Sequence, residues 1–386
     1  MYKLKTLNKI SANGLSLLPP DRFSVGDYED PDGILVRSQD MTSLNLGANL
    51  LAIARAGAGV NNIPVKECSE KGIIVFNTPG ANANAVCELV LCSLFLASRD
   101  IIGGIKWAST LQGDDVANLV EKGKSAFAGP EISGKSLGVI GLGAIGVRAA
   151  NAAVKLDMNV YGYDPYISVA AAWKLSRHAK NAHSLQTLYE NCDYISLHLP
   201  LLPSTKGMIN SSTIKSMRDG VRILNFARGE LVNETDIIAA LNSGKVAKYI
   251  TDFPSRAIID AKNTIAVPHL GASTPESEEN CANMAVGQIM DYLENGNIKN
   301  SVNFPDVALE RSGAFRLCFV HKNIQGELNN ILSLLSAENV NVENMINKSK
   351  NEYAYTLMDI NAQVSDTVIE KVRGIKDMIR LRSIAL

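Results

Sequence analysis

Short apolar runs alternate with helically spaced segments along most of the chain. In the first stretch, residues 33–37, 51–55 and 72–77 are brief, apolar and bounded by glycine or polar residues, as strands buried on both faces should be. Their alternation with helices predicts a parallel sheet in an α/β layer. A helical stretch over about 84–107 follows. It carries Leu89, Leu91, Leu94, Phe95 and Leu96 with little charge, which predicts burial on both flanks.

Residues 113–134 lead into a second α/β series with strands at 137–141, 159–163, 194–199, 221–226 and 264–267. A helix over 275–293 ends at Asn295-Gly296, a helix-stop signal, and Asn303-Phe304-Pro305 reads as extended chain leaving that series. From about 314 the order is strand (315–320), helix (325–338), strands (340–348 and 353–361), helix (364–376) and strand (379–383). That β-α-β-β-α-β sequence is ferredoxin-like. The expected fold is α/β: two doubly wound, Rossmann-like parallel-sheet domains followed by a small ferredoxin-like domain.

Composition narrows the function classes. At 386 residues the chain has room for two or three domains. Lys+Arg is 38 and Asp+Glu is 39, so no basic excess supports nucleic-acid binding. The six cysteines form no CxxC pair and match no zinc spacing. They are expected to be reduced, buried thiols of a cytoplasmic protein, and no metal site is expected. The longest apolar run, about 89–97, is too short to span a bilayer, and no secretion signal is visible at the N-terminus.

The sharpest motif is the GxGxxG of Gly141, Gly143 and Gly146, which follows a predicted strand and opens an alanine-rich predicted helix. Gly141 permits the tight turn, Gly143 lets the backbone approach a pyrophosphate, and Gly146 lets helix and strand pack closely. The helix N-terminus at Ala144 and Ile145 offers N–H groups and a partial positive charge to phosphates. Asp164 stands eighteen residues past the last glycine, at the end of the next strand. It can accept from ribose hydroxyls and would repel a 2′-phosphate, so NAD is the expected cofactor.

Arg228 and His269 each follow an apolar strand candidate of this second series. Ligands of open α/β sheets bind at the carboxyl ends of strands. Oxidising a 2-hydroxy acid needs a cation for the carboxylate, ideally a bidentate arginine fork. It also needs a base near pKa 7 for the hydroxyl proton, and histidine suits that task. Among the other histidines, His198 is expected to pack near the cofactor edge.

Gly141–Gly146 with Asp164, residues 225–229, Thr251-Asp252-Phe253-Pro254 and residues 268–274 together resemble the D-2-hydroxyacid dehydrogenases, specifically the short form with a C-terminal ACT domain. Val36-Arg37-Ser38 and residues 55–61 and 77–88 extend the resemblance over nearly the whole chain. It implies NAD-dependent oxidation of D-3-phosphoglycerate to 3-phosphohydroxypyruvate, the first step of L-serine synthesis. Another D-2-hydroxy acid as substrate, or an NAD-sensing regulatory protein with weakened chemistry, are the alternatives. It further implies a discontinuous substrate domain (1–96 with 285–305), an NAD domain (97–284) and an ACT domain (314–386). By position, Arg37, Ser38, Gly57, Gly59 and Asn82 would contact substrate, and Ala227 and Asp252 the nicotinamide side of NAD.

The chain departs from the pattern at one place. The family's Asp-Phe-Pro-x-Glu places the glutamate that pairs with the histidine where Arg256 stands here. Three readings are open: Asp260 takes its place after a loop shift, Arg256 points to solvent, or catalysis is impaired. In the C-terminal module, His321, Asn323 and Asn341 match positions that contact L-serine in ACT domains of this family, and Gln325 replaces the usual proline before Gly326. Such domains pair across a homodimer or homotetramer, so the resemblance implies a homo-oligomer with serine as an effector.

Overall fold

Parallel strands fed by short βα connections dictate the first two sheets. In the computed structural model, which describes residues 1–385, the first sheet comprises β1 (Tyr2–Leu7), β2 (Phe23–Val25), β3 (Gly33–Val36), β4 (Ala52–Arg55) and β5 (Ile74–Phe76). Its order is β2-β1-β3-β4-β5, with every pairing parallel. β3 and β5 are buried along their whole length, as their unbroken apolar runs require. β1 and β2 lie before the first predicted strand. Only Leu4 of β1 and Phe23 of β2 are buried, so neither offers a continuous apolar run.

The second sheet comprises β6 (Ser136–Ile140), β7 (Asn159–Tyr163), β8 (Lys180–Asn181), β9 (Tyr194–Leu197), β10 (Val221–Asn225), β11 (Val246–Thr251) and β12 (Thr264–Ala266). The order is β12-β11-β10-β9-β6-β7-β8, again all parallel. β11 is absent from the sequence reading because Ala247 and Lys248 interrupt its apolar run; Lys248 reaches Asp100 at 3.8 Å. The long helix expected over 84–107 is two helices, Ala83–Ser98 and Ile101–Ala108. Arg99 is extended between them, and the Asp100 side chain caps the second by accepting from the Gly103 N–H at 3.3 Å. The expected burial on both flanks also fails. The first helix buries one face (Val86, Val90, Leu94, Ala97), Phe95 stays exposed, and the second helix buries no residue.

The C-terminal sheet comprises β13 (Phe315–Lys322), β14 (Val342–Lys350), β15 (Tyr353–Ile360) and β16 (Met378–Ala385) in the order β14-β15-β13-β16, antiparallel throughout. With the helices Glu327–Ala337 and Asp366–Arg373 this is the ferredoxin-like, ACT-like arrangement. Leu386, the last residue of the expected ACT domain, lies outside the described residues. The chain divides into two compact units, Met1–Ala81 with Glu278–Leu386, and Asn82–Ser277. The expected limits at 96/97 and 284/285 lie inside the helices Ala83–Ser98 and Pro275–Asn295.

Within the first unit, Cys318, Val320, Tyr355, Leu357 and Ile384 of the C-terminal sheet share one buried cluster with Leu35, Phe76, Ile289 and Tyr292. The opposite face of that sheet packs on Ile331, Leu335, Val368 and Val372. One ion pair links two strands of the C-terminal sheet, β13 and β15, and its further bonds reach the chain that enters the sheet. Arg316 and Asp359 are both fully buried and bond twice, Nε to Oδ1 at 2.6 Å and Nη2 to Oδ2 at 2.8 Å. Arg316 also donates to the carbonyls of Asn295 (2.8 Å) and Glu310 (2.9 Å). Ser312 donates to Asp359 Oδ2 from both its N–H and its hydroxyl, each at 2.9 Å. Burial pushes the Asp359 pKa up, but these donors outweigh it and hold the carboxyl below its usual range. Asp359→Ala, which leaves the Arg316 charge buried and unpaired, is expected to cost about 3–5 kcal/mol in denaturant unfolding. Because the folded pKa is depressed, the wild type holds this advantage above the ordinary aspartate range. The gap between wild type and variant therefore narrows as pH falls through it.

Candidate active site

The turn after β6 is built by glycine. Gly141 has φ +94°, and a Cβ there would press on the backbone carbonyl of His198. A Cβ at Gly146 would collide with the Gly141 carbonyl oxygen, so the turn admits no side chain at that point. A Cβ at Gly143, by contrast, meets nothing within 4 Å. The helix Ala144–Lys155 starts there without a side-chain cap. Its first N–H groups at Ala144, Ile145 and Gly146 therefore remain available to an anion, and the space above Gly143 is open to one. Asp164, at the end of β7, is fixed by accepting from the Leu142 N–H (2.8 Å) and the Tyr166 N–H (2.9 Å). These features fit a dinucleotide: a pyrophosphate on the helix N-terminus and a ribose at Asp164.

His198 lies under this loop, bonded through Nε2 to Ser196 Oγ at 2.9 Å. Burial lowers its pKa to about 4, so it is neutral at physiological pH. That agrees with a packing role rather than proton transfer.

Three neighbouring parallel strands end at three chemically distinct side chains. Arg228 follows β10, Asp252 follows β11 and His269 follows β12. Buried Asn225 shapes the first turn, accepting from the Ala227 N–H at 3.2 Å and donating to the Arg228 carbonyl at 2.8 Å. Asn225 is a positioning residue that the sequence reading did not single out; an amide at the last position of a buried strand is its signal. The exposed Arg228 side chain donates to the Ala227 carbonyl at 2.6 Å. Among the described residues it pairs with no carboxylate. His269 is exposed, with Phe253 edge-on to its ring at 4.9 Å and 85°. Among the described residues no carboxylate oxygen lies within 4 Å of its ring nitrogens.

Asp252 is 2% exposed, and its Oδ1 has no protein partner. Burial raises its pKa, and the nearby charges of His269 and Arg228 and the Gly271 backbone pull the other way. A cavity of about 690 Å³ lies beside these groups, lined by His269, Asp252, Phe253, Tyr249, Glu230 and Glu234 among others. The two glutamates were not anticipated; each lies close in sequence to Arg228.

Arg256 points away. It opens the short helix Arg256–Asp260, its side chain is 86% exposed, and its Nε donates to Asp260 Oδ2 at 2.8 Å. Of the three readings, the structure shows the solvent-facing one, and the same contact engages Asp260. Among the described residues no group of His, Cys, Asp and Glu side chains could hold a metal ion.

In the other unit, Arg37 and Ser38 follow β3, and Gly57 and Gly59 follow β4. Arg37 is 42% exposed and forms an ion pair with Glu278 at 2.7 Å. The Ser38 N–H donates to Asn8 Oδ1 at 3.1 Å. Asn82 belongs to the second unit, at the start of the helix Ala83–Ser98, where its side chain caps nothing.

The expected effector residues do not meet within one chain. His321 is 3% exposed, bonded to the Lys322 carbonyl (2.9 Å) and Thr356 Oγ1 (3.0 Å). Asn323 donates to the Asn351 carbonyl at 3.2 Å, near the same sheet end. Asn341 adjoins Val342, whose partner Ile360 pairs with Phe315 at the other end of β13. At ~3.3 Å per residue that is about 20 Å away.

A family model described as D-isomer specific 2-hydroxyacid dehydrogenase, NAD binding domain, matches residues 96–271. The D-3-phosphoglycerate dehydrogenase of Haemophilus influenzae is 32% identical over 345 residues, 86% of this chain and 81% of that protein. The Rattus norvegicus enzyme of the same name is 34% identical over 72% of this chain but only 52% of its own length, so the match spans about half of that protein. Among solved structures, the NAD+-bound 3-phosphoglycerate dehydrogenase of Entamoeba histolytica matches at 28% identity with TM-score 0.61, covering 78% of this chain and 98% of that one. A D-mandelate dehydrogenase of Rhodotorula graminis (23% identity, TM-score 0.65, 78% of this chain and 96% of that one) shares the fold.

Proposed function

The chain belongs to the D-isomer-specific 2-hydroxyacid dehydrogenase family, and from that premise we propose that it oxidises D-3-phosphoglycerate to 3-phosphohydroxypyruvate with NAD, the first step of L-serine synthesis. The observation that carries this reading is the row of Arg228, Asp252 and His269 after three adjacent parallel strands, on the sheet that also bears the Gly141–Gly146 loop. Gly141, Gly143, Ala144, Ile145 and Gly146 would hold the pyrophosphate, Asp164 the adenosine ribose, and Ala227 and Asp252 the nicotinamide end. Arg228 holds the substrate carboxylate through a guanidinium fork that no internal acid occupies. His269 takes the C2 hydroxyl proton as the carbonyl forms. What the bound cofactor supplies is an acceptor for the hydride leaving C2. Arg37 and Ser38 would contact the substrate, Arg37 exchanging Glu278 for the phosphate, with Gly57, Gly59 and Asn82 as further contacts.

In this reading residues 1–96 with 285–305 form the substrate domain, 97–284 the NAD domain, and the ACT domain carries serine regulation. The separation of Asn341 from His321 and Asn323 leads us to assign an effector site completed by two copies of the chain. The helices Ile101–Ala108 and Val116–Gly123 support a homodimer or homotetramer. They bury no residue, and Ile105 is 65% exposed. An apolar arm of this kind marks an association surface. No helix among the described residues is long and apolar enough to cross a membrane. The free cysteines, five of them buried, support a reducing cytoplasmic setting.

Adding D-3-phosphoglycerate with NAD at alkaline pH should raise NADH absorbance faster than D-lactate or D-glycerate does. His269→Asn should lower kcat by about 10²–10⁴-fold. A faster rate with another 2-hydroxy acid would move the assignment within the family, and no rate with any of them would favour a sensor. L-Serine titrated against that rate should inhibit it, and no change up to millimolar concentration would sink the effector assignment. Ile105→Glu should shift the sedimenting species to smaller mass, whereas a monomeric wild type would refute the association reading.

A further inference from the structure

A second polar cavity, of about 450 Å³, lies within the first unit where the C-terminal sheet meets the loop preceding β4. Arg373, Arg380 and Arg382 line it together with Asn49 and a single acid, Asp32. None of the three arginines has a carboxylate within 4 Å among the described residues. Two of them are partly spent on backbone. Arg382 donates to the carbonyls of Tyr292 (3.3 Å) and Leu293 (2.6 Å) and lies over the Tyr292 ring at 4.9 Å. Arg380 donates to the carbonyls of Leu50 and Ala48. The Arg373 side chain, in the last turn of its helix, has no hydrogen-bond or ion-pair partner among the described residues. Asp32 is itself engaged, accepting from the Lys3 N–H at 2.7 Å.

Arg380 and Arg382 are part-buried and bonded to backbone carbonyls, and the groups around Arg382 favour its charged form. Arg373 is exposed, so on its side of the cavity only solvent meets the guanidinium charge. Burial makes the charged form of Arg380 less favourable, and the like charge of Arg382 adds to that, with Tyr292 opposing. The unmet requirement is an anion with several oxygens, reachable from solvent and small enough for the cavity. We propose that this cavity binds a small multivalent oxyanion, a phosphate or polycarboxylate group, held by Arg373 together with the unused donors of Arg380 and Arg382. Charge-assisted and bidentate bonds from guanidinium to phosphate or carboxylate supply the recognition. The site joins the loop before β4 to β16, so its ligand would brace the C-terminal domain against the first sheet. It stands independently of the dehydrogenase assignment.

The test is calorimetric titration of the full-length chain with inorganic phosphate and, separately, citrate, at constant ionic strength. Arg373→Gln removes the guanidinium with no internal partner and should weaken the binding about ten- to a hundred-fold. Ala48→Glu, at an exposed loop position beside Arg380, should place a carboxylate in the cavity and abolish it without removing an arginine. Arg37→Gln, in the proposed substrate site, should leave this binding unchanged and so separates it from phosphate captured there. Tighter binding of citrate or of phosphate identifies the ligand's source class. Titrations of Arg373→Gln and Ala48→Glu that superimpose on the wild type, or heat lost only in Arg37→Gln, would overturn the proposal.

Discussion

The close approach of Gly146 to the Gly141 carbonyl oxygen governs the dinucleotide half of the molecule. Because no Cβ fits at that point, the helix Ala144–Lys155 can pack against β6 with its N-terminus at the strand's carboxyl end. The uncapped N–H groups are then left facing the open space above Gly143. The same turn places the Leu142 N–H on the Asp164 carboxylate. That bond couples the glycine loop to the end of β7 and, with the Tyr166 N–H, fixes the Asp164 carboxylate. Parallel pairing carries the geometry across the sheet, since every strand delivers its following loop to the same edge.

Charge is distributed by a different logic in each part. A chain with almost no net charge still gathers three arginines on one cavity, and it buries one ion pair outright. Each side-chain nitrogen of Arg316 and both carboxylate oxygens of Asp359 have a partner, the condition under which burying two charges is tolerable. The cluster of Arg373, Arg380 and Arg382 lacks that closure, as does Arg228. Glu327, 3% exposed with an unpartnered Oε1, is the acidic counterpart in the C-terminal domain, and burial raises its pKa.

Most of the architecture was readable because buried parallel strands announce themselves as short apolar runs and glycine turns by their spacing. The elements that escaped did so for local reasons. β1 buries one residue of six, and Lys248 interrupts the apolar run of β11, its side chain reaching Asp100. The helix expected over 84–107 divides because Asp100 offers the backbone a cap in mid-run, a competition that apolar periodicity does not register. Site residues whose role comes from backbone geometry, such as the three glycines, were legible. The contacts of Asn225 and Phe253, and the place of Glu234, were not, because they depend on which turns the fold brings beside Arg228 and His269.

Arg256 shows where sequence correspondence and physical environment part. At the first position of an exposed helical turn, an arginine bonded to Asp260 four residues on is an ordinary surface pair, worth ~0.3–0.5 kcal/mol, and it brings no positive charge to the imidazole. The charge environment of His269 is therefore set by groups on its own side of the cavity. Asp252 is the buried one, and its free oxygen makes it costly. An apolar residue would fill that position with less desolvation. What opposes the rise in its pKa is the attraction of the groups on the flanking strand ends, His269 and Arg228. A buried acid between an arginine and a histidine, with one oxygen left unbonded by the protein, breaks the rule that buried polar groups are satisfied. Such departures concentrate where a fold gives up stability for chemistry, and here it falls between the two groups to which the proposed oxidation assigns the carboxylate and the proton.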